Sequence, residues 1–163
     1  EGAFMEEKQR HALDRVDRRI LDLLQREGAL SVAEVASRTG LSTTTCWRRI
    51  QHMEQSGVIR GRVALLDRSA LGLDVTIFAH VKLSTQGRDA IAAFAEAIRE
   101  RPEVLDCYTT MGEWDFMLRI VTRDIKAYEA FYLDHLSKLP YVQSINSSVT
   151  VTVIKETTVL PIE

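Results

Sequence analysis

The sequence predicts an α+β protein: an N-terminal three-helix helix-turn-helix domain, a strand linker, and a C-terminal ferredoxin-like βαββαβ sandwich. Three observations carry the prediction. The stretch Leu30–Gly57, LSVAEVASRTGLSTTTCWRRIQHMEQSG, is punctuated as a short helix, a glycine turn and a longer helix. The second half runs through hydrophobic periods of two and 3.6 in the order strand, helix, strand, strand, helix, strand. Between the two, the turn-rich DRSALGLD breaks both rhythms and marks a boundary near residue 70. The expected division is residues 1–62 for the first domain, 63–74 for the linker and 75–163 for the second domain.

The first expected helix lies in LDRVDRRILDLLQREG, where Val16, Ile20, Leu23 and Leu24 form one stripe, Asp14 is placed to cap and Gly28 to stop. Ser31 with Glu34 has the spacing of a capping box, and Leu30 with Val35 that of a hydrophobic staple, so the second helix starts at Val32. Gly40 ends it in a left-handed residue. Ser42 is the next cap, and the third helix runs toward Gly57, with Cys46, Ile50 and Met53 as its core stripe. From Val58 to Leu66, Ile59, Gly61, Val63 and Leu65 alternate with Arg60, Arg62 and Ala64, the pattern of a strand with its arginines outward.

In the second half Val75, Ile77, Ala79, Val81 and Leu83 alternate as a strand, and Ile91, Phe94, Ala95 and Ile98 mark a helix that Pro102 prevents from continuing. Strands follow over Val104–Met111 and Phe116–Val121, joined by a tight loop containing Gly112. Asp124 caps a helix whose expected stripe is Ile125, Tyr128, Tyr132, Leu136 and Leu139, closed by Pro140. Val149, Val151 and Val153 alternate in an expected long last strand. Both helices then cover one sheet face, leaving Thr76, Phe78, His80, Thr150 and Thr152 on a mixed face open to a second subunit or to solvent.

At 163 residues the chain has ample length for a core, and its net charge of −2 conceals a division. Residues 1–62 carry 11 Lys/Arg against 9 Asp/Glu, whereas residues 63–163 carry 10 against 14. Within 38–62, Arg38, Arg48, Arg49, Arg60 and Arg62 face Glu54 alone, a local cationic patch that suits one polyanion-facing surface. Two distant cysteines, Cys46 and Cys107, argue against a disulfide framework and for a reducing, cytoplasmic setting. No apolar run approaches the ~18 residues of a membrane span, and Glu1–Phe4 ahead of Met5 read as a preparative remnant. The histidines His11, His52, His80 and His135 have no ligand-like spacing, and neither a phosphate-cradling glycine loop nor a serine nucleophile elbow is present. No metal, no cofactor and no catalytic role is expected.

On the third helix, hydroxyls in the first turn (Ser42, Thr43, Thr44, Thr45) precede Arg48 and Arg49, residue types that meet base edges and phosphates. The plain alternative is a solvated helix face. Trp47, on a flank beside Arg48, is expected to pack. The loop Met111-Gly112-Glu113-Trp114-Asp115 offers backbone amides for a carboxylate and acidic side chains for an ammonium group, the two charged ends of an amino acid. The plainer reading, and the commoner use of these residues, is a hairpin turn in which Gly112 and Asp115 are turn formers.

Taken together, LDRVDRRILDLLQREGALS, LSTTTCWRRIQHMEQSGVIRG, MGEWDFMLRI and KETTVLPI resemble the Lrp/AsnC, or feast/famine, family of transcription regulators over Leu13–Ile162. The resemblance implies a DNA-binding helix-turn-helix joined to a ligand-sensing αβ sandwich that dimerises through its sheets and assembles further, often into octamers. It also implies small effectors, mostly amino acids, held between dimers beside the loop matching Met111–Asp115, with Asn146 and Ser148 as further pocket-wall candidates. Many relatives have proline where this chain has Thr45. On this footing double-stranded DNA is contacted by Ser42, Thr43, Thr44, Thr45, Arg48, Arg49, Arg60 and Arg62, and the effector by Met111, Gly112, Glu113, Trp114, Asp115, Asn146 and Ser148. The alternative function is an amino-acid-binding regulatory protein that acts through protein partners without recognising DNA.

Overall fold

In the computed structural model, residues 12–85 and 87–162 are described. The segment Glu1–Phe4 lies outside them. The chain divides into two compact units, one taking it up to Leu65 and again from Lys155, the other spanning Leu66–Ile154.

In the first unit, α1 (Arg15–Arg26), α2 (Val32–Thr39) and α3 (Thr43–Gln55) enclose a core of Ile20, Leu24, Leu30, Val35, Ala36, Cys46, Ile50 and Met53. The expected caps form. Ser31 Oγ accepts from the Glu34 N–H while the Glu34 carboxylate accepts from the Ser31 N–H, and Gly40 takes φ +73° to end α2. Asp14 and Asp17 make the same reciprocal box on α1, in a carboxylate-only version not anticipated from the sequence. The alternating stretch after α3 belongs to no sheet among the described residues. A strand exists only through its partner, and the described residues of one copy supply none there.

Residues 155–162, expected with the second domain, belong to the first unit. The Gln25 side-chain amide binds the backbone of Leu160 in both senses, accepting from its N–H at 2.8 Å and donating to its carbonyl at 3.0 Å. Ile162 and Leu160 line an apolar crevice with Leu13, Leu21, Leu24 and Val58.

The second unit has β1 (Val75–Leu83), α4 (Arg88–Arg99), β2 (Val104–Thr109), β3 (Phe116–Thr122), α5 (Ile125–Asp134), a 3-10 turn (Leu136–Lys138) and β4 (Val142–Val149). The sheet order is β2-β3-β1-β4, antiparallel throughout. Phe94 and Ile98 of α4 and Tyr128 and Phe131 of α5 cover one face, sealing Ile77, Ala79, Val81, Leu118 and Ile120. The opposite face carries Phe78, His80 and Lys82 without helices.

Two expectations shift. Ile125 is 52% exposed and Phe131 takes its place in the core, because the helix ends at Asp134 and Leu136 enters the core from the 3-10 turn. The last strand is QSINSSV-rich and ends at Val149, leaving Val151 99% exposed. The core-side row of this strand, Ile145, Ser147 and Val149, includes a serine that meets the Tyr128 hydroxyl, so the period-two signal is broken, whereas the valine alternation beyond it has no ladder to join among the described residues. No described helix is long and apolar enough to cross a membrane.

Candidate nucleic-acid interface and ligand loop

Helical geometry advances about 100° per residue, so the side of α3 opposite buried Cys46, Ile50 and Met53 presents Thr44, Arg48 and Gln51 in successive turns. Trp47 flanks this stripe on one side, Thr45 and His52 on the other. Thr43, Thr44 and Arg48 are exposed. Trp47 is 54% exposed, contrary to the expected packing, because the core closes on Cys46 and Ile50 without it.

The first turn of α3 is held by Ser42, whose hydroxyl accepts from the Thr45 N–H at 3.2 Å and contacts the Thr45 hydroxyl at 2.9 Å. Ser42 and Thr45 therefore have a structural task. Gln51 is likewise engaged, donating to Glu54 at 2.9 Å.

The arginines separate sharply. Arg49 Nη1 donates to Asp14 at 2.7 Å and to Asp17 at 2.8 Å, tying the second turn of α3 to the start of α1. Asp17 is only 5% exposed. The Asp17 N–H, and then the Arg49 guanidinium, hold the Asp14 carboxyl below the usual carboxylate range; Asp14 and Asp17 in turn push Arg49 higher. Arg38 pairs with Glu27 at 2.6 Å, and Arg62 approaches Glu54 at 3.6 Å. Of the five cations counted in the sequence, only Arg48 and Arg60 have no carboxylate partner among the described residues.

In the second unit the β2–β3 hairpin loop is braced from inside. Thr110 donates its N–H to the Asp115 carbonyl at 2.9 Å and its hydroxyl to the Trp114 carbonyl at 2.7 Å. Asp115 donates its N–H to Val81 at 2.9 Å and accepts from the Leu83 N–H at 2.8 Å, with Lys82 Nζ 3.8 Å away. The loop is thus stitched to β1. At its crown Met111 is fully exposed, Gly112 has φ +127°, and Glu113 projects with no partner among the described residues.

A cleft of about 340 Å³ opens beside the loop, lined by Met111, Gly112 and Asp115 with Thr109, Thr110 and Ile91 of α4. Trp114 is not among its walls: its ring lies 6.1 Å from that of His80, on the helix-free side. Asn146 stands opposite His80 in the β1–β4 ladder, and Ser148 opposite Phe78, one side-chain step farther along that face. The structure therefore gathers Met111, Gly112 and Asp115 at the cleft, whereas Glu113, Trp114, Asn146 and Ser148 are not among its walls. Thr109, Thr110 and Ile91 were missed in the sequence. The hydroxyl pair directly before the loop was readable there, but a wall contributed by α4 was not.

Residues 76–160 match the family model described as the Lrp/AsnC ligand binding domain, and residues 13–60 the one described as winged helix-turn-helix DNA-binding. The chain is 37% identical over 151 residues to the DNA-binding transcriptional activator DecR of Escherichia coli, covering 93% of this chain and 99% of that protein. Among solved structures, an AsnC family transcriptional regulator from Agrobacterium tumefaciens superposes with a TM-score of 0.87 at 44% identity, covering 91% and 97% of the two chains. A transcriptional regulator from Neisseria meningitidis, solved as a complex with L-Met, gives a TM-score of 0.87 at 37% identity, covering 91% and 96%.

Proposed function

The chain belongs to the Lrp/AsnC family of transcriptional regulators, and from that premise we propose that α3 enters the major groove with Thr44 and Arg48 toward base edges. Thr43 and the first-turn amides of α3, capped by Ser42 with Thr45, then lie beside a phosphate, and Arg60 with Arg62 adds backbone contacts. Arg49 serves from behind, holding α3 on α1. The observation that carries this is the exposed stripe of α3 with Arg48 left without a carboxylate partner among the described residues, on a helix whose other arginine is doubly ion-paired.

The effector in this reading is an amino acid in the cleft beside Met111–Asp115. Its carboxylate meets the amides around Gly112, where the open backbone at φ +127° keeps side-chain bulk away. Its ammonium meets Glu113, since Asp115 is already committed to Leu83 and Lys82. Trp114, Asn146 and Ser148 form the outer wall shared with a neighbouring copy. The Neisseria relative holding L-Met supports this ligand class. The protein acts by binding rather than catalysis, as at least a dimer, and the effector shifts the balance of assemblies by its differential affinity for them.

The test pairs a thermal-shift screen of the twenty amino acids with fluorescence anisotropy on duplexes selected from a random library by the full chain. Enrichment of a sequence, and a change in its affinity with one or more amino acids, is the expected result. Absence of any enriched sequence overturns the DNA reading, and retention of amino-acid binding without it leaves the partner-protein alternative.

A further inference from the structure

We propose that Trp47 determines sequence preference by covering the C5-methyl group of a thymine at the edge of the major groove. The proposal deepens the DNA reading above and rests on it.

The indole has no structural employment. The first unit's core is complete without it, and it takes part in no ring contact or hydrogen bond among the described residues. A single exposed hydrophobic residue is ordinary on a protein surface. What sets Trp47 apart is its place: it lies three residues beyond Thr44, four before Gln51 and next to Arg48, so it borders the outward stripe of α3 over two turns. The surface it joins combines a large apolar plane, an indole N–H donor and a guanidinium that pairs with no carboxylate among the described residues.

A partner matching that surface is anionic and has apolar groups set among hydrogen-bonding edges. Duplex DNA meets both requirements, and its apolar group in the major groove is the thymine methyl. A protein partner of the same chemistry would be acidic and apolar. The second copy of this chain is a poor candidate for that role at this position, since the residues flanking Trp47 on α3, Thr43, Thr44, Arg48 and Gln51, are neutral or basic rather than acidic.

The experiment uses the full chain and the duplex enriched from the random library. Each thymine in turn is replaced by deoxyuridine, which removes the methyl and leaves the hydrogen-bonding edge intact. Wild type should bind about four-fold more weakly at one such position per half-site, the effect of losing one buried methyl. Trp47→Ala should bind the thymine duplex more weakly and be indifferent to that same replacement. Trp47→Phe should keep part of the discrimination while losing the DNA-dependent change in tryptophan emission seen in the wild type, a readout that stands if the alanine variant folds poorly. If both variants respond to every deoxyuridine as wild type does, or if the emission of wild type and Trp47→Phe responds identically to DNA, the proposal is wrong while the DNA reading survives. A loss of self-association in Trp47→Ala with unchanged base preference also overturns it, and makes the indole a protein contact. Failure of the library to enrich any sequence removes the reading on which it rests.

Discussion

Arg48 and Arg49 are neighbours in the sequence with opposite surroundings, and the difference can be measured. Arg48→Ala should cost about 1–3 kcal/mol of DNA affinity and relax preference at one base position, with unfolding unchanged. Arg49→Ala should instead lower the stability of the first unit, because it strips the partner from nearly buried Asp17. About 1–3 kcal/mol is expected for a buried acceptor left unmatched, toward the lower end because Arg49 is itself 30% exposed. Urea unfolding checks the second claim, and salt titration separates the two: an Arg49 bound to phosphate would lower the salt slope by about one, whereas a strut leaves it unchanged. Asp14 adds a pH dependence. Its carboxyl is depressed in the folded unit, first by the Asp17 N–H and then by Arg49, so its contribution is full above the unfolded value near 3.9 and disappears as pH falls through the lower folded value. Asp14→Asn should therefore flatten the acid limb of thermal stability below about pH 4. The arginine-rich patch was legible as composition, but its division was not. Charge counting sees Glu54 nearby in sequence and misses Asp14 and Asp17, which reach Arg49 only after α1 packs on α3.

Among the elements, those with strong local rules were readable and those defined by a distant partner were not. Ser31 with Glu34, Gly40, Ser42 and Asp124 act within three or four residues, and all four occupy the capping positions their spacing predicts. The strands β1 and β3 are buried on the helix side and betray themselves by alternation. β4 is an edge strand of serines, asparagine and glutamine, and its identity comes from pairing with β1, which a single segment cannot announce. The loop Met111–Asp115 belongs to this second class: its glycine and acids were visible, but the wall from Ile91 and the bracing of Asp115 by β1 depend on the folded sheet. This bracing separates two carboxylates that the sequence treats alike. Asp115→Ala should lower thermal stability of the second unit by about 0.5–1.5 kcal/mol and abolish the effector response by unpinning the loop. Glu113→Gln should leave stability unchanged and weaken amino-acid binding directly. Calorimetric titration alongside thermal unfolding distinguishes them, and an Asp115→Ala protein with unaltered amino-acid affinity would show that the brace is irrelevant to the site.

In the molecule as a whole, the stretches crossing between the two units carry a run of exposed apolar side chains. The chain passes from one unit to the other after Leu65 and back after Ile154, and around these crossings Val63, Leu65, Leu66, Val151 and Ile154 are 84%, 73%, 72%, 99% and 91% exposed. Apolar side chains on extended segments with open backbone donors and acceptors are what another strand would pair with. The residues following α3 have the alternation of a strand and no partner among the described residues of one copy, and a second copy brings the same segment by symmetry. A two-fold pair would also present two copies of α3 to half-sites separated by one turn of DNA, roughly 34 Å. If the pairing runs through this segment, the double variant Val63→Glu, Leu65→Glu places like charges opposite one another across the two-fold and should reduce the solution mass toward that of one chain, measured by light scattering. Both units should remain folded, because neither side chain belongs to a core. Binding to a duplex with two half-sites should then fall far more than binding to one half-site, since the second contact is no longer intramolecular. A double variant that keeps its mass would move the interface to the helix-free face of Phe78, His80, Met117 and Arg119, where an exposed Tyr108 stands across the ladder from Met117.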